Sequence, residues 1–335
     1  MKNLALAALA CAPLLAPGLL APNPARAQDP YGTFAISLEN DAFSRTDRNY
    51  TNGLQLAWRS PSADPPSWLA WINRIAAPFF PRDGAPRWGL ALGQTIYTPS
   101  NTQATNPAPR DRPYAGWLYG AFTVSSESPT SYAAFEIALG VVGPSALGEQ
   151  VQNGFHDLIS DNPARGWDYQ LKDEPGVLIS VERKWRYNLS LFGDPHGLAF
   201  GVIPTLGANL GNVNTAAQAG LLVRFGQDLL ADFGPPRIRP ALAGSSFFEP
   251  TRPFSWYLFA GANGSAVAQD IFLDGNTWRD SRSVDRNVWV GEVVFGAAVI
   301  LGPARVTFQA VERMREFQGQ DKPSRYASAS LSLKF

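Results

Sequence analysis

Only two histidines occur in this 335-residue sequence, His156 and His196, and imidazole is the side chain whose unperturbed pKa lies nearest neutrality. His196 stands in Asp194-Pro195-His196-Gly197, a composition that makes a tight turn and suggests no chemistry. His156 stands in the stretch 146–160, long enough for about four helical turns. There Glu149, Gln152 and His156 recur at spacings of three and four and share one face. Val151, Phe155 and Leu158 or Ile159 are expected to pack from another. The chain then concentrates carboxylates and amides, from Asp161 and Asn162 to Asp173 and Glu174, around Trp167. There is no Gly-x-Ser-x-Gly elbow, and the single cysteine is Cys11, so a covalent triad is not suggested. A base that activates water is the simpler option, and hydrolysis of an ester then needs a group to hold the developing oxyanion. Asn, Gln or Arg side chains can supply it, as can a hard cation held by carboxylate and carbonyl oxygens.

A second polar concentration spans 39–53, with three acidic, two basic and three Asn side chains. Asp41 beside Asn40 offers oxygen ligands of that kind, although no EF-hand-like spacing is present. This cluster joins two runs of strict alternation. Phe34, Ile36 and Leu38 share one parity before it, and Leu54, Leu56 and Trp58 share one after it. Such alternation marks strands with one apolar and one wet face. If it holds to the strand ends, Asp41 and Thr51 point to the side of Ser37 and Gln55, the interior of a closed sheet.

Twelve strands are expected, at 32–40, 50–59, 88–97, 115–125, 131–142, 176–187, 197–209, 215–226, 255–267, 287–301, 304–314 and 325–335. An even number suits a single-chain transmembrane antiparallel β-barrel, the one sheet structure that can turn apolar faces to lipid without an unpaired edge. The fold class is therefore all-β, with short helices in the connections at 67–80 and 146–160, and irregular chain at 98–114 and 227–254. Residues 1–27 read as a signal peptide ending at Ala25-Arg26-Ala27, and 28–335 as one barrel domain without cysteine. Without Lys2 and Arg26, 26 basic residues face 28 acidic ones, a net of −2 that gives no footprint for nucleic acid. The final strand stops on an aromatic, Phe335, which resembles the assembly signal of bacterial outer-membrane barrels.

Taken together, Glu39-Asn40-Asp41, Asp47-Arg48-Asn49-Tyr50-Thr51-Asn52-Gly53 and Asp111-Arg112-Pro113-Tyr114-Ala115-Gly116-Trp117 resemble the motifs of the lipid A 3'-O-deacylase family. Gly143-Pro144-Ser145, Gln152, His156 and Gly166-Trp167-Asp168-Tyr169-Gln170-Leu171 continue the resemblance in the same order. It implies a twelve-stranded outer-membrane barrel with calcium-dependent esterase activity. Such an enzyme removes the 3'-linked acyloxyacyl group from lipid A of lipopolysaccharide in the outer leaflet, by a mechanism similar to that of secreted phospholipase A2.

By that resemblance His156 is the general base for an attacking water, Asp41 helps to hold calcium, and Asn40, Thr51 and Gln152 are polar active-site positions. Arg112 is a candidate for binding a lipid A phosphate or sugar, because its forked donors suit phosphate; a lumen ion pair is the alternative. The second calcium-binding carboxylate is left open among Asp161, Asp168 and Glu174, with Glu174 taken as the candidate. Two other functions fit a barrel of this kind: a non-enzymatic porin, and an outer-membrane phospholipase.

Overall fold

The computed structural model describes residues 29–41, 49–77, 79–159, 162–238, 241 and 244–335; the expected signal peptide lies outside them. Its strands are β1 (Thr33–Asn40), β2 (Asn49–Arg59), β3 (Ala85–Thr98), β4 (Ala115–Glu127), β5 (Ser131–Val142), β6 (Glu174–Trp185), β7 (Tyr187–Ser190), β8 (Leu198–Leu210), β9 (Asn214–Gln227), β10 (Phe254–Asp270), β11 (Trp289–Leu301), β12 (Ala304–Arg313) and β13 (Ser324–Lys334). Consecutive strands pair antiparallel except β6 and β7, which both pair with β8, and β1 pairs with β13, so that the sheet closes.

β6 and β7 are two segments of one strand. Lys184 opposes Thr205 and Tyr187 opposes Val202, an unbroken register along β8. The interruption falls at Arg186, whose guanidinium bonds the carbonyls of Pro129, Leu230 and Asp232. The barrel therefore has twelve staves, as the alternation predicted.

Side-chain chemistry is inverted relative to a water-soluble protein. Phe34, Ile36, Leu38, Leu90, Leu92, Leu258, Phe295 and Phe308 are exposed on the outside, while Ser37, Glu39, Thr123, Glu136, Arg224, Arg305 and Thr307 are buried inside. An apolar band outside and a polar interior are what a barrel in a bilayer needs. The protein is thus an integral barrel of the outer membrane. The start of β1 and the end of β13 lie at one end, where Gly32 and Phe335 exchange backbone hydrogen bonds. The tight turns 128–130 and 302–303 lie at that end too, which makes it periplasmic.

The lumen is filled from the periplasmic end. The described residues of the connection 228–253 fold inward and bury Phe233, Phe247 and Phe248. Asp232 accepts from Arg224, Arg305 and the Tyr257 hydroxyl, each at 2.8 Å. Burial pushes the Asp232 carboxyl up, but Arg305 and Arg224 together outweigh it and hold the group below its ordinary value. Further up, Arg237 pairs with Glu292 and donates to Tyr326 Oη at 2.5 Å.

Among the described residues three α-helices lie in the connections: α1 (Ser67–Ile75), α2 (Gly148–Ile159) and α3 (Ile271–Asp274). α1 buries Leu69 with Phe80, Val124 and Ala133 and leaves Trp68, Trp71 and Ile75 exposed. That arrangement suits a helix lying in the membrane interface.

Candidate active site

The site is built on the outer face of the wall, at the extracellular end of β1 to β4. In these strands the even-numbered residues face outward, as the exposed Leu38, Leu54, Leu92 and Phe122 show. Following one row across the register, Asn40 opposes Asn52, Asn52 opposes Ile96, and Ile96 opposes Gly116. Gly116 has no side chain, and that lets a helix settle on the wall. A Cβ there would stand 3.2 Å from Ala146 Cβ and 3.3 Å from the backbone of Gly148. Gly148 is equally constrained, since its own Cβ would meet the Trp167 ring at 2.8 Å. Gln94 Nε2 donates to Ala146 O at 2.6 Å, and Ser145 donates through N and Oγ to the Asp173 carboxylate at 2.8 Å each. These contacts fix the start of α2 over β3 and β4.

α2 then turns its polar side to the protein. Gln152 and His156, one turn apart, are buried, whereas Leu147, Val151, Phe155 and Leu158 are exposed on the opposite side. The expectation that Val151, Phe155 and Leu158 pack against protein is corrected: on the outside of a membrane barrel that face belongs to lipid. His156 Nδ1 lies 2.7 Å from the carbonyl of Asn162. A carbonyl has no proton to give, so Nδ1 carries the hydrogen and Nε2 keeps the lone pair of a base. Beyond Asn162, Ala164 is buried with Ile96, Tyr114 and Trp167. The arm that holds the imidazole therefore rests at Ile96 on the same row, with Asn52 one strand and Asn40 two strands away at about 4.8 Å per strand.

A β-bulge decides where Thr51 goes. Tyr50 opposes Tyr97 and Asn52 opposes Ile96, which leaves Thr51 as the extra residue. Tyr50 turns into the lumen against Tyr97 and Tyr326, with ring centroids 5.5 and 4.9 Å apart. Thr51 Oγ1 instead meets Thr98 Oγ1 at 2.7 Å, on the outward parity of β3. The expectation that Thr51 and Asp41 point into the barrel is thus overturned for Thr51, because the bulge reverses the alternation. Asp41, just past the end of β1, is buried, and its N–H donates to Thr51 O at 3.3 Å. Asn40, Asp41 and Thr51 accordingly gather at one strand join, and Gln152 and His156 stand on the helix seated over the next two strands, β3 and β4.

Two expected residues stand elsewhere. Arg112 is buried over the lumenal Tyr97 ring at 4.8 Å and pairs with Glu316 at 3.4 Å, the lumen ion pair that was the alternative for it. Glu174 opens β6, five strands from β1 along the wall. Its carboxylate accepts from Asn212 Nδ2, Asn276 Nδ2 and Thr277 N at 3.0, 3.0 and 2.9 Å. It ties extracellular connections together instead of standing with Asp41. Asp168 is exposed on the 3-10 turn Trp167–Tyr169, and Asp161 lies outside the described residues.

Among the described residues no group of three or more His, Cys, Asp and Glu is assembled for a metal. Around Asp41 the available donors are oxygens: its own carboxylate, the Asn40 amide and the Thr51 hydroxyl. That chemistry fits a hard cation completed by carbonyls, water or substrate. Thr98, Gln94, Asn153 and the Asn162 carbonyl escaped the sequence reading. Thr98 carried one signal, its outward parity at the end of a strand facing Thr51.

The family model described as outer membrane protein LpxR matches residues 7–335, nearly the whole chain. The chain belongs to the LpxR family. Among solved structures, LpxR from Salmonella typhimurium aligns with a TM-score of 0.74 at 20% identity, covering 90% of this chain and 100% of that one. The β domain of the Bordetella autotransporter BrkA aligns at 0.42 with 13% identity, covering 92% of this chain and 100% of that one. No curated protein sequence matches the chain. Membership of the LpxR family bears out the resemblance to lipid A 3'-O-deacylases, and the Salmonella LpxR structure shares the barrel.

Proposed function

We propose that the protein is a lipid A-modifying hydrolase that removes the 3'-linked acyloxyacyl group of lipid A at this outer-face site. The observation that carries the proposal is the placement of His156. A buried base on the protein side of a helix, whose other side is exposed Leu147, Val151, Phe155 and Leu158, stands at the extracellular end of the wall and outside the lumen. A lipid can reach it without leaving the membrane.

In this reading Nε2 of His156 takes a proton from a water as the water oxygen attacks the ester carbonyl carbon. The imidazolium then returns the proton to the departing sugar oxygen, giving a free acid and an alcohol. Asn162 O holds the Nδ1 proton throughout. Gln152, one helical turn before the base, and Thr51, fixed by Thr98, are placed to orient the water or the ester by hydrogen bonding. Asp41, with Asn40, would hold calcium; when bound, the ion supplies positive charge for the carbonyl oxygen as it becomes an oxyanion.

The porin reading fits less well, since the 228–253 connection fills the lumen. The test offers the folded, detergent-solubilised protein lipid A and phosphatidylethanolamine separately, with calcium, and reads products by mass spectrometry. Loss of the whole 3' unit from lipid A supports the proposal. Acyl release from phosphatidylethanolamine alone transfers the site to a phospholipase, and no product from either removes the enzymatic reading.

A further inference from the structure

Asn153 stands three residues before His156 on α2, and its side chain reads one peptide unit twice. Its Nδ2 donates to Ala164 O at 3.2 Å, and its Oδ1 accepts from Ala164 N at 2.8 Å. A primary amide that pairs with both the N–H and the C=O of one residue acts as a strand partner would, fixing that residue in position and rotation. Only Pro163 separates Ala164 from Asn162, whose carbonyl receives the His156 Nδ1 hydrogen. Pro163 locks its own φ near −65° and restricts Asn162 to extended backbone, so little freedom remains between the clamped residue and the carbonyl. The Pro163 carbonyl is also held by Gln103 Nε2 at 3.3 Å, and Arg165 N donates to Thr102 O at 2.9 Å.

From this chain of contacts we infer that Asn153 is a positioning residue for the base: it sets the tautomer of His156 through Ala164 and the Asn162 carbonyl. The inference rests on the reading of His156 as the base, but its first readout does not. Loss of the clamp frees the 162–164 arm to rotate, the carbonyl leaves Nδ1, and the proton redistributes between the two ring nitrogens. A histidine with its proton on Nε2 has no lone pair there for a water, which lowers kcat more than KM.

The experiment follows the ring nitrogens of His156 by 15N NMR in the folded protein lacking residues 1–27. A His196→Gln background leaves one imidazole to observe. In that background the Nδ1–H form is expected to dominate at a pH where the ring is neutral. Asn153→Ala is expected to give a mixture of the two tautomers and to lower kcat for lipid A roughly tenfold or more, given how strongly a wrong tautomer slows other histidine bases. Asn153→Asp keeps the acceptor for Ala164 N–H and loses only the donor, so it should fall between the two. Heat-modifiable migration on gels confirms that each barrel is folded. An Asn153→Ala protein with the same Nδ1–H signal as its parent overturns the inference, whatever its activity. A shifted tautomer in a barrel that never deacylates lipid A upholds the inference and instead refutes the proposed function.

Discussion

Arg237, carried up the lumen by the 228–253 connection, brings its Nε to 3.9 Å from the Glu39 carboxylate, and the next residue, Ile238, donates its N–H to the same oxygen at 3.2 Å. Glu39 faces inward and its neighbour Asn40 faces outward, so the plug and the candidate site hold the end of β1 from opposite sides of one wall. The plug is therefore more than filling. Arg237→Ala leaves Glu39 buried without its cation and Glu292 with Arg313 alone, and breaking a buried pair in this way costs on the order of 3–5 kcal/mol. Urea unfolding followed by heat-modifiable gel migration should show that loss. Activity should fall as well in the fraction that stays folded.

The seat of α2 makes a sharper prediction. Gly116→Val places a branched side chain where even a Cβ would stand 3.2 Å from Ala146 Cβ. The helix must lift, carrying Gln152 and His156 off the wall, while the barrel hydrogen bonds of β4 are untouched. Activity is expected to fall about a hundredfold, since misplacement of about 1 Å costs that much in well-oriented sites. The urea midpoint should move little.

Glu174 and Asp41 separate cleanly under mutation. Asp41→Asn should raise the calcium concentration needed for half-maximal activity, because a carboxylate is replaced by a neutral oxygen. Glu174→Gln should leave that concentration unchanged and speed proteolysis of the extracellular connections, since Asn212, Asn276 and Thr277 lose a charged acceptor. Calcium titrations of the two variants, run beside limited proteolysis, check both halves.

Asp232 makes acid stability predictable in sign. Its folded-state pKa is depressed, so its contribution is fully present above the unfolded value of about 3.9 and is lost as pH falls through the lower folded value. Denaturant midpoints should therefore drop below about pH 4 in the native protein. In Asp232→Asn the midpoint should be lower above about pH 4 and converge on the native one as pH falls, so that the part of the acid limb due to this group vanishes.

Much of this architecture was legible in the alternation of residues such as Phe34, Ile36 and Leu38, because a lipid-facing wall imposes a strict two-residue period. The strand interruption at Arg186 was not, since it depends on carbonyls more than 40 residues away in the plug. Nor was the direction of Thr51. The alternation pointed it inward, and only the register of Tyr50 with Tyr97 reveals the extra residue. The periodicity of α2 correctly grouped Gln152 with His156, yet assigned its apolar face to protein because sequence alone does not say which medium lies outside. Arg112 and Glu174 show the same limit. One is a polar residue within a motif and the other just beyond one, and which side of the wall each serves is set by partners distant in sequence, Glu316 and Asn276.

The central claim is that His156 activates water against the 3' ester of lipid A. The most direct measurement is a side-by-side time course of lipid A with the native protein and with His156→Gln, in calcium and in chelator, read by mass spectrometry. The account predicts release of the whole 3' acyloxyacyl unit by the native protein in calcium only, and a rate lower by about 10²–10⁴ in folded His156→Gln. Equal release by both proteins would contradict it.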